Sequence, residues 1–291
     1  MVSPQPLLPS SQDLLHRNRC ALFNLSSGAP SKYNVESLAF THVPKAGGSS
    51  FQYMLKGEAR RHNMTWTNVH EKIGSRGRGE ADVQAADVLI GHGSYQYMVD
   101  YLHWWPGPRA TFVTLLRQPS ARLESLFRFH SGEGEAYARR ILAQGGSLQA
   151  EFEKFLRDRE MGTDALQMHR KKATCADVAD ANDHFLFCHG ALTAEQVEET
   201  FDFIRDRYAV VGVLERPEDT MEVLRCRVPW VERTKLPHSD FNAQTWRYPV
   251  QLHTDTAAMR NATYLEDQLY ARANEILTED LECCRHRSST K

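Results

Sequence analysis

Two glycines set between an apolar run and a helical pattern constrain this chain more than any other feature. Leu38-Ala39-Phe40-Thr41-His42-Val43 is short, mostly apolar and halted by Pro44, as a buried strand entering a turn would be. Pro44-Lys45-Ala46-Gly47-Gly48-Ser49-Ser50 follows. Phe51, Met54 and Leu55 then recur at helical spacing, with Arg60 and Arg61 near the C-terminal end. Ser49 or Ser50 is expected to cap that helix. Glycines at such a turn let the backbone approach a ligand, and the N–H groups and dipole of the helix start form an anion cradle. Lys45 adds a mobile positive charge. Because the lysine precedes the glycines, the segment is not a Walker A loop, which needs G-x-x-x-x-G-K-[ST]. The same residues also suit an ordinary Gly-Gly turn carrying a surface lysine.

The strand-then-polar-turn grammar recurs. Asp87-Val88-Leu89-Ile90 is a short strand candidate, and Ala110 to Leu116 a stronger one. After the second, Pro119 takes a favoured first-turn position, and Leu123, Leu126 and Phe127 supply an apolar helical face. Helical patterns follow at Leu148 to Leu156 and Ala194 to Arg207, then a buried strand at Tyr208 to Leu214 and helices near Asp219 to Arg225 and Asn261 to Leu281. Alternation of this kind predicts an α/β fold with a mainly parallel, doubly wound sheet and a P-loop-like turn. In such sheets ligands bind beyond the carboxyl ends of the strands, where the polar turns lie. Residues 1–34 lack apolar periodicity and read as a flexible tail or stem, leaving 35–291 as a single domain.

Composition narrows the function classes. Hydrophobic residues make up 41% and charged residues 25%, which suits a globular chain. The apolar runs fall far short of the roughly 20 residues that cross a bilayer, and the first residues lack a secretory apolar region. Membrane attachment is expected only through an N-terminal anchor missing from this sequence. A formal charge of −2 gives no ground for nucleic-acid binding, although local basic clusters can receive a small anion. The six cysteines form neither a CxxC pair nor a zinc-ligand spacing with histidine, so no metal is expected. Sequons at Asn24, Asn63 and Asn261 and the even cysteine count point to the secretory lumen, with the cytoplasm as the alternative. Cys175 and Cys188, the nearest non-adjacent cysteines, are expected to pair.

A second anion site begins where the strand Ala110 to Leu116 ends. Arg117 is a fork suited to phosphate, and Ser125 lies one helical step from Arg122, so that one anion could bridge them. Taken separately, such an arginine also suits a surface salt bridge, and such a serine a neutral helix position. Two cradles at neighbouring strand ends would suit a nucleoside carrying phosphates at both ends.

The lysine-glycine-glycine-serine loop and the R-x-P-x-x-R-x-x-S-x-x-x-F stretch from Arg117 to Phe129 resemble the 5′-phosphosulfate and 3′-phosphate motifs of sulfotransferases that use 3′-phosphoadenosine 5′-phosphosulfate (PAPS). Within that superfamily the chain is most similar to the Golgi carbohydrate group that includes heparan sulfate 2-O-sulfotransferase and its uronyl relatives. Gly91-His92-Gly93-Ser94-Tyr95 resembles the stretch bearing that group's catalytic base, Phe187-Cys188 a segment of its middle region, and Val211 to Glu215 its late strand and turn. The resemblance runs from about Leu38 to Leu277. It implies a sulfotransferase fold in the Golgi lumen, PAPS as donor and no metal. It assigns Lys45 to the phosphosulfate, the backbone of Ala46, Gly47, Gly48, Ser49 and Ser50 to the 5′-phosphate, Arg117 and Ser125 to the 3′-phosphate, and His92 to the base. Two departures leave the acceptor open. Ile90 stands where the 2-O enzymes carry a second histidine, and Gly47-Gly48 is closer to the 6-O-sulfotransferases and plant tyrosine sulfotransferase.

The chemistry fits these residue types without the family. Sulfuryl transfer builds charge on the departing phosphate oxygen, which a cation such as Lys45 stabilises. An acceptor hydroxyl needs a base of near-neutral pKa, and His92 follows a strand end on the same edge. Its alternative is a loop histidine satisfied by hydrogen bonds. For a glycan acceptor, Arg76 and Arg78 in a glycine-rich loop, Arg170-Lys171-Lys172, Trp104-Trp105 and Tyr95 are candidate contacts, though basic clusters are often solvated faces and tryptophan pairs often core. A tyrosine peptide is a second acceptor class, and a non-catalytic glycan- or nucleotide-binding member of the family a second function.

Overall fold

In a computed structural model, the described residues are 37–68, 85–92, 98, 110–130, 135–158, 193–237 and 251–288. The apolar runs at the three clearest strand positions do form strands. They are β1 (Ser37–Thr41), β4 (Ala110–Leu116) and β5 (Tyr208–Val213). Two shorter strands join them, β2 (Trp66–Asn68) and β3 (Val88–Gly91). All pairings are parallel, in the order β2-β3-β1-β4-β5. Parallel strands need crossover connections and are covered on both faces. That is why β3 and β5 are buried along their whole length rather than alternating.

The described helices are α1 (Gly48–Arg61), α2 (Pro119–His130), α3 (Glu135–Ala143), α4 (Leu148–Asp158), α5 (Ala194–Arg207), α6 (Pro217–Arg227) and α7 (Ala257–Ser288). Thr193 and Gln196 close a reciprocal capping box on α5, and Pro217 opens α6 at its first turn. The main core packs Leu38, Phe40, Val113, Val211 and Tyr208 of the sheet with Phe51 and Leu55 of α1 and Leu269 and Leu277 of α7. A second cluster joins Leu123 and Phe127 of α2 to Phe152 of α4 and Met259 of α7.

Helix α7 is the common wall. It packs against β5, α6, α4 and α2. Charged groups lock it at depth. The Arg122 guanidinium grips Glu266 with contacts of 2.5 to 2.9 Å, and Arg227 Nη2 donates to Asp280 at 2.6 Å. All four side chains are 3% exposed or less. Such pairs need full geometric satisfaction to offset their desolvation. A Cys226–Cys284 disulfide, with Cα atoms 6.0 Å apart, fastens α6 to the end of α7.

Several expectations change. Helix α1 starts at Gly48 without a serine cap: Gly47 is its N-cap, left-handed at φ 80°, and no side chain caps it. Helix α7 extends beyond Asn261 to Leu281 at both ends, α4 runs on to Asp158, and β2 and α3 were not anticipated. The Cys175–Cys188 pairing, Arg170 to Lys172, Trp104-Trp105 and Phe187 lie outside the described residues. Among the described residues no helix is long and apolar enough to cross a membrane.

Candidate functional site

The chain order around β1 creates a crevice. From β1 the chain leads through α1 toward β2 on one side, whereas β4 borders the other side and continues through α2. Where connections diverge from adjacent parallel strands, the space beyond their carboxyl ends is open to a ligand. The turn after β1 carries Lys45 to Ser50, and the turn after β4 carries Arg117.

Buried hydroxyls hold these strand ends in register. Thr114 Oγ1 donates to the Thr41 carbonyl at 3.1 Å, and Thr41 Oγ1 and Tyr208 Oη are hydrogen-bonded at 3.0 Å. Immediately above, Arg117 Nη1 donates to the Lys45 carbonyl at 3.2 Å, joining the two turns directly. Burial and the neighbouring Arg117 charge lower the Lys45 pKa below the ordinary lysine range. Burial likewise lowers that of Arg117, against the opposing pull of Glu215 and Glu124. Two cations held this close with their hydration reduced favour an incoming anion. Among the described residues Lys45 has no carboxylate partner; its Nζ lies 4.3 Å from the centroid of the Phe129 ring.

The loop backbone is strained in the manner of a close-approach turn. Lys45 is left-handed at φ 65°, as is Gly47 at φ 80°, a region that side chains bearing Cβ adopt at a cost. A Cβ on Gly47 would stand 2.6 Å from Leu214 Cδ1, and one on Gly48 would overlap the His42 ring. The Ala46 N–H donates to the Val43 carbonyl at 3.2 Å, so this amide closes the turn and is not aimed at a ligand. Of the expected backbone donors Ala46 to Ser50, Gly48, Ser49 and Ser50 open helix α1.

His92 follows β3 and joins the same edge. Its Nδ1 lies 2.8 Å from the His42 carbonyl, and its ring stacks on that of His42 with centroids 4.0 Å apart. A carbonyl only accepts, so Nδ1 carries the hydrogen and the neutral ring holds its lone pair on Nε2. Lys45, Gly47, Arg117 and His92 therefore lie just beyond three adjacent strand ends, with Gly48, Ser49 and Ser50 opening α1 beside them. Ser125 is half-buried on the second turn of α2. Arg122 does not share an anion with it: the guanidinium turns inward to Glu266. Arg76, Arg78 and Tyr95 lie outside the described residues.

Two contributors were missed from sequence. Glu215, just after β5, accepts from the Gln118 N–H at 3.1 Å and from Tyr270 Oη at 3.0 Å, fixing the entry to α2 beside Arg117. His42 underlies both the glycine turn and His92. The signal for Glu215 was its place at a strand end, and for His42 its spacing of two from Phe40, which puts the two rings on the same side of the chain as it leaves β1. Among the described residues no group of three or more His, Cys, Asp or Glu could hold a metal ion. The chain matches no known protein-family model and no curated protein sequence.

Proposed function

We propose that this protein is a PAPS-dependent sulfotransferase that transfers a sulfuryl group to a hydroxyl, with a glycan as the acceptor class, in the Golgi lumen. The observation that carries this reading is the Arg117–Lys45 contact, which sets two anion-binding turns side by side at the divergence of β1 and β4. A donor with a phosphosulfate at one end of a nucleoside and a 3′-phosphate at the other would need two such turns at neighbouring strand ends. The assignment of PAPS itself, and of a glycan, comes from the sequence motifs.

In this reading the Lys45 turn and the first N–H groups of α1 hold the phosphosulfate, and Arg117 and Ser125 hold the 3′-phosphate. The acceptor oxygen attacks sulfur in line while its proton passes to His92 Nε2. The bond from sulfur to the bridging oxygen breaks, its electron pair stays on the 5′-phosphate, and Lys45 neutralises the charge that develops there. The loop supplies fixed dipoles and charges, as in phosphoryl transfer, but the step as written needs no metal.

The test combines a thermal shift with 3′-phosphoadenosine 5′-phosphate (PAP) and sulfate transfer from PAPS to heparan, chondroitin and dermatan chains, small sugars and tyrosine peptides. A raised Tm together with transfer to a sugar chain is the expected result. Transfer only to peptides would replace the acceptor class. A shift without turnover of any acceptor would leave a nucleotide-binding protein, and a response to ATP and magnesium in place of PAP would overturn the reading.

A further inference from the structure

We infer that His42 is a positioning residue that sets the tautomer and orientation of His92 and locks it to the donor-binding turn; the inference rests on the proposed role of His92 as base. Three contacts meet on this one residue. Its carbonyl accepts from His92 Nδ1 at 2.8 Å, which fixes which nitrogen carries the hydrogen. Its ring stacks on His92 at 4.0 Å between centroids, with an interplanar angle of 26°. The other flank of the ring covers Gly48, where a Cβ would overlap it and come within 2.6 Å of its Cγ.

His42 is itself well placed to hold still. It is 6% exposed. Its ring stacks at 5.6 Å on Phe40, which in turn packs on Phe51 of α1 at 4.7 Å. The His42 N–H donates to the Gly91 carbonyl at 2.8 Å, so the backbone that presents the carbonyl is anchored to the residue preceding His92. The base and the helix start that cradles the donor are thus two faces of one packed column. Its buried position keeps the His42 ring from the acceptor, so it acts through His92.

Rigid placement matters because misplacing a reacting group by about 1 Å can lower a rate roughly 10²-fold. Glycine at position 48 leaves space for the His42 ring, and the ring then fills the space. Either residue changed alone disturbs the column.

The experiment compares His42→Leu, which keeps bulk without a flat ring, with His42→Phe, which keeps a flat ring; the backbone carbonyl stays in both, so the pair isolates the part played by the ring. With PAPS and the best acceptor of the panel above, His42→Leu should lower kcat about 10- to 100-fold while PAP affinity stays within about threefold. His42→Phe should recover most of that loss. In a His92→Ala background, His42→Leu should alter kcat by less than about twofold, since a residue acting through another is non-additive with it. Additive losses, or a Phe variant as slow as Leu, would overturn the inference. Imidazole ¹⁵N shifts of His92 in the wild-type protein give a readout that needs neither variants nor turnover. The Nδ1–H form is expected, and an Nε2–H form would overturn the inference even if neither variant folds. If the wild type transfers no sulfuryl group at all, the proposed function fails instead, whatever the tautomer.

Discussion

At the scale of single residues, the cations and the histidine should fail in different ways. Arg117→Ala should weaken PAP binding by about 1.5–3 kcal/mol, the worth of a charge-assisted hydrogen bond, with Ser125→Ala milder; unchanged calorimetric affinity would remove Arg117 from the site. His92→Ala should leave PAP affinity near wild type and lower turnover about 10²–10⁴-fold, and Lys45→Ala should impair both. Near-normal turnover in His92→Ala would end its assignment as base. The lowered pKa of Lys45 carries a sign. In the proposed role Lys45 holds the donor as its ammonium, so affinity should fall as pH rises through the lysine's pKa, at lower pH than for an ordinary lysine. Titration calorimetry with PAP across alkaline pH would show the fall, and its disappearance in Lys45→Ala would assign it. The placement of Lys45, Arg117 and His92 beyond neighbouring strand ends was legible from sequence because each follows a strand signal closely. His42 was not, because stacking between rings from β1 and the end of β3 depends on their being neighbours in the sheet.

At the scale of elements, strong apolar runs decided what could be read. The strands β1, β4 and β5 were visible because parallel strands covered on both faces need continuous apolar sequence. Strand β2 was not visible. Trp66-Thr67-Asn68 is a three-residue edge strand whose pairing with β3 supplies the order its own composition lacks. The start of α1 was misread for a related reason. A serine looked like the cap, but the left-handed Gly47 turns the chain into the helix two or three residues sooner. Arg122 belongs to this scale too. Its place in the R-x-P-x-x-R motif suggested an anion ligand, and its partner Glu266 is 144 residues away in sequence, on α7. Removing it should strand a buried carboxylate: Arg122→Ala is expected to cost about 3–5 kcal/mol in urea denaturation, a stability loss rather than a specific loss of PAP contact. Wild-type stability with abolished PAP binding would return Arg122 to the site.

At the scale of the whole molecule, α7 closes the structure against β5, α6, α4 and α2, and the disulfide makes that closure covalent. Cys226 and Cys284 are separated by 58 residues, a span across which a cross-link is expected to contribute about 2–4 kcal/mol by restricting the unfolded chain. Cys226→Ala/Cys284→Ala should therefore lower Tm, with little change in PAP affinity because the candidate site lies at the strand ends; an unchanged Tm would show that α7 is held without this link. The same link gives the protein a mechanical character. Suppose tension is applied between residue 37 and residue 288 in a single-molecule trap. Only the stretch beyond Cys284 can peel from the C-terminal end before the load reaches the sulfur–sulfur bond, and from there it passes directly into α6. The closed segment between the cysteines cannot lengthen under any force that spares the bond. The span of 58 positions between them therefore adds nothing to the extended length of the oxidised chain.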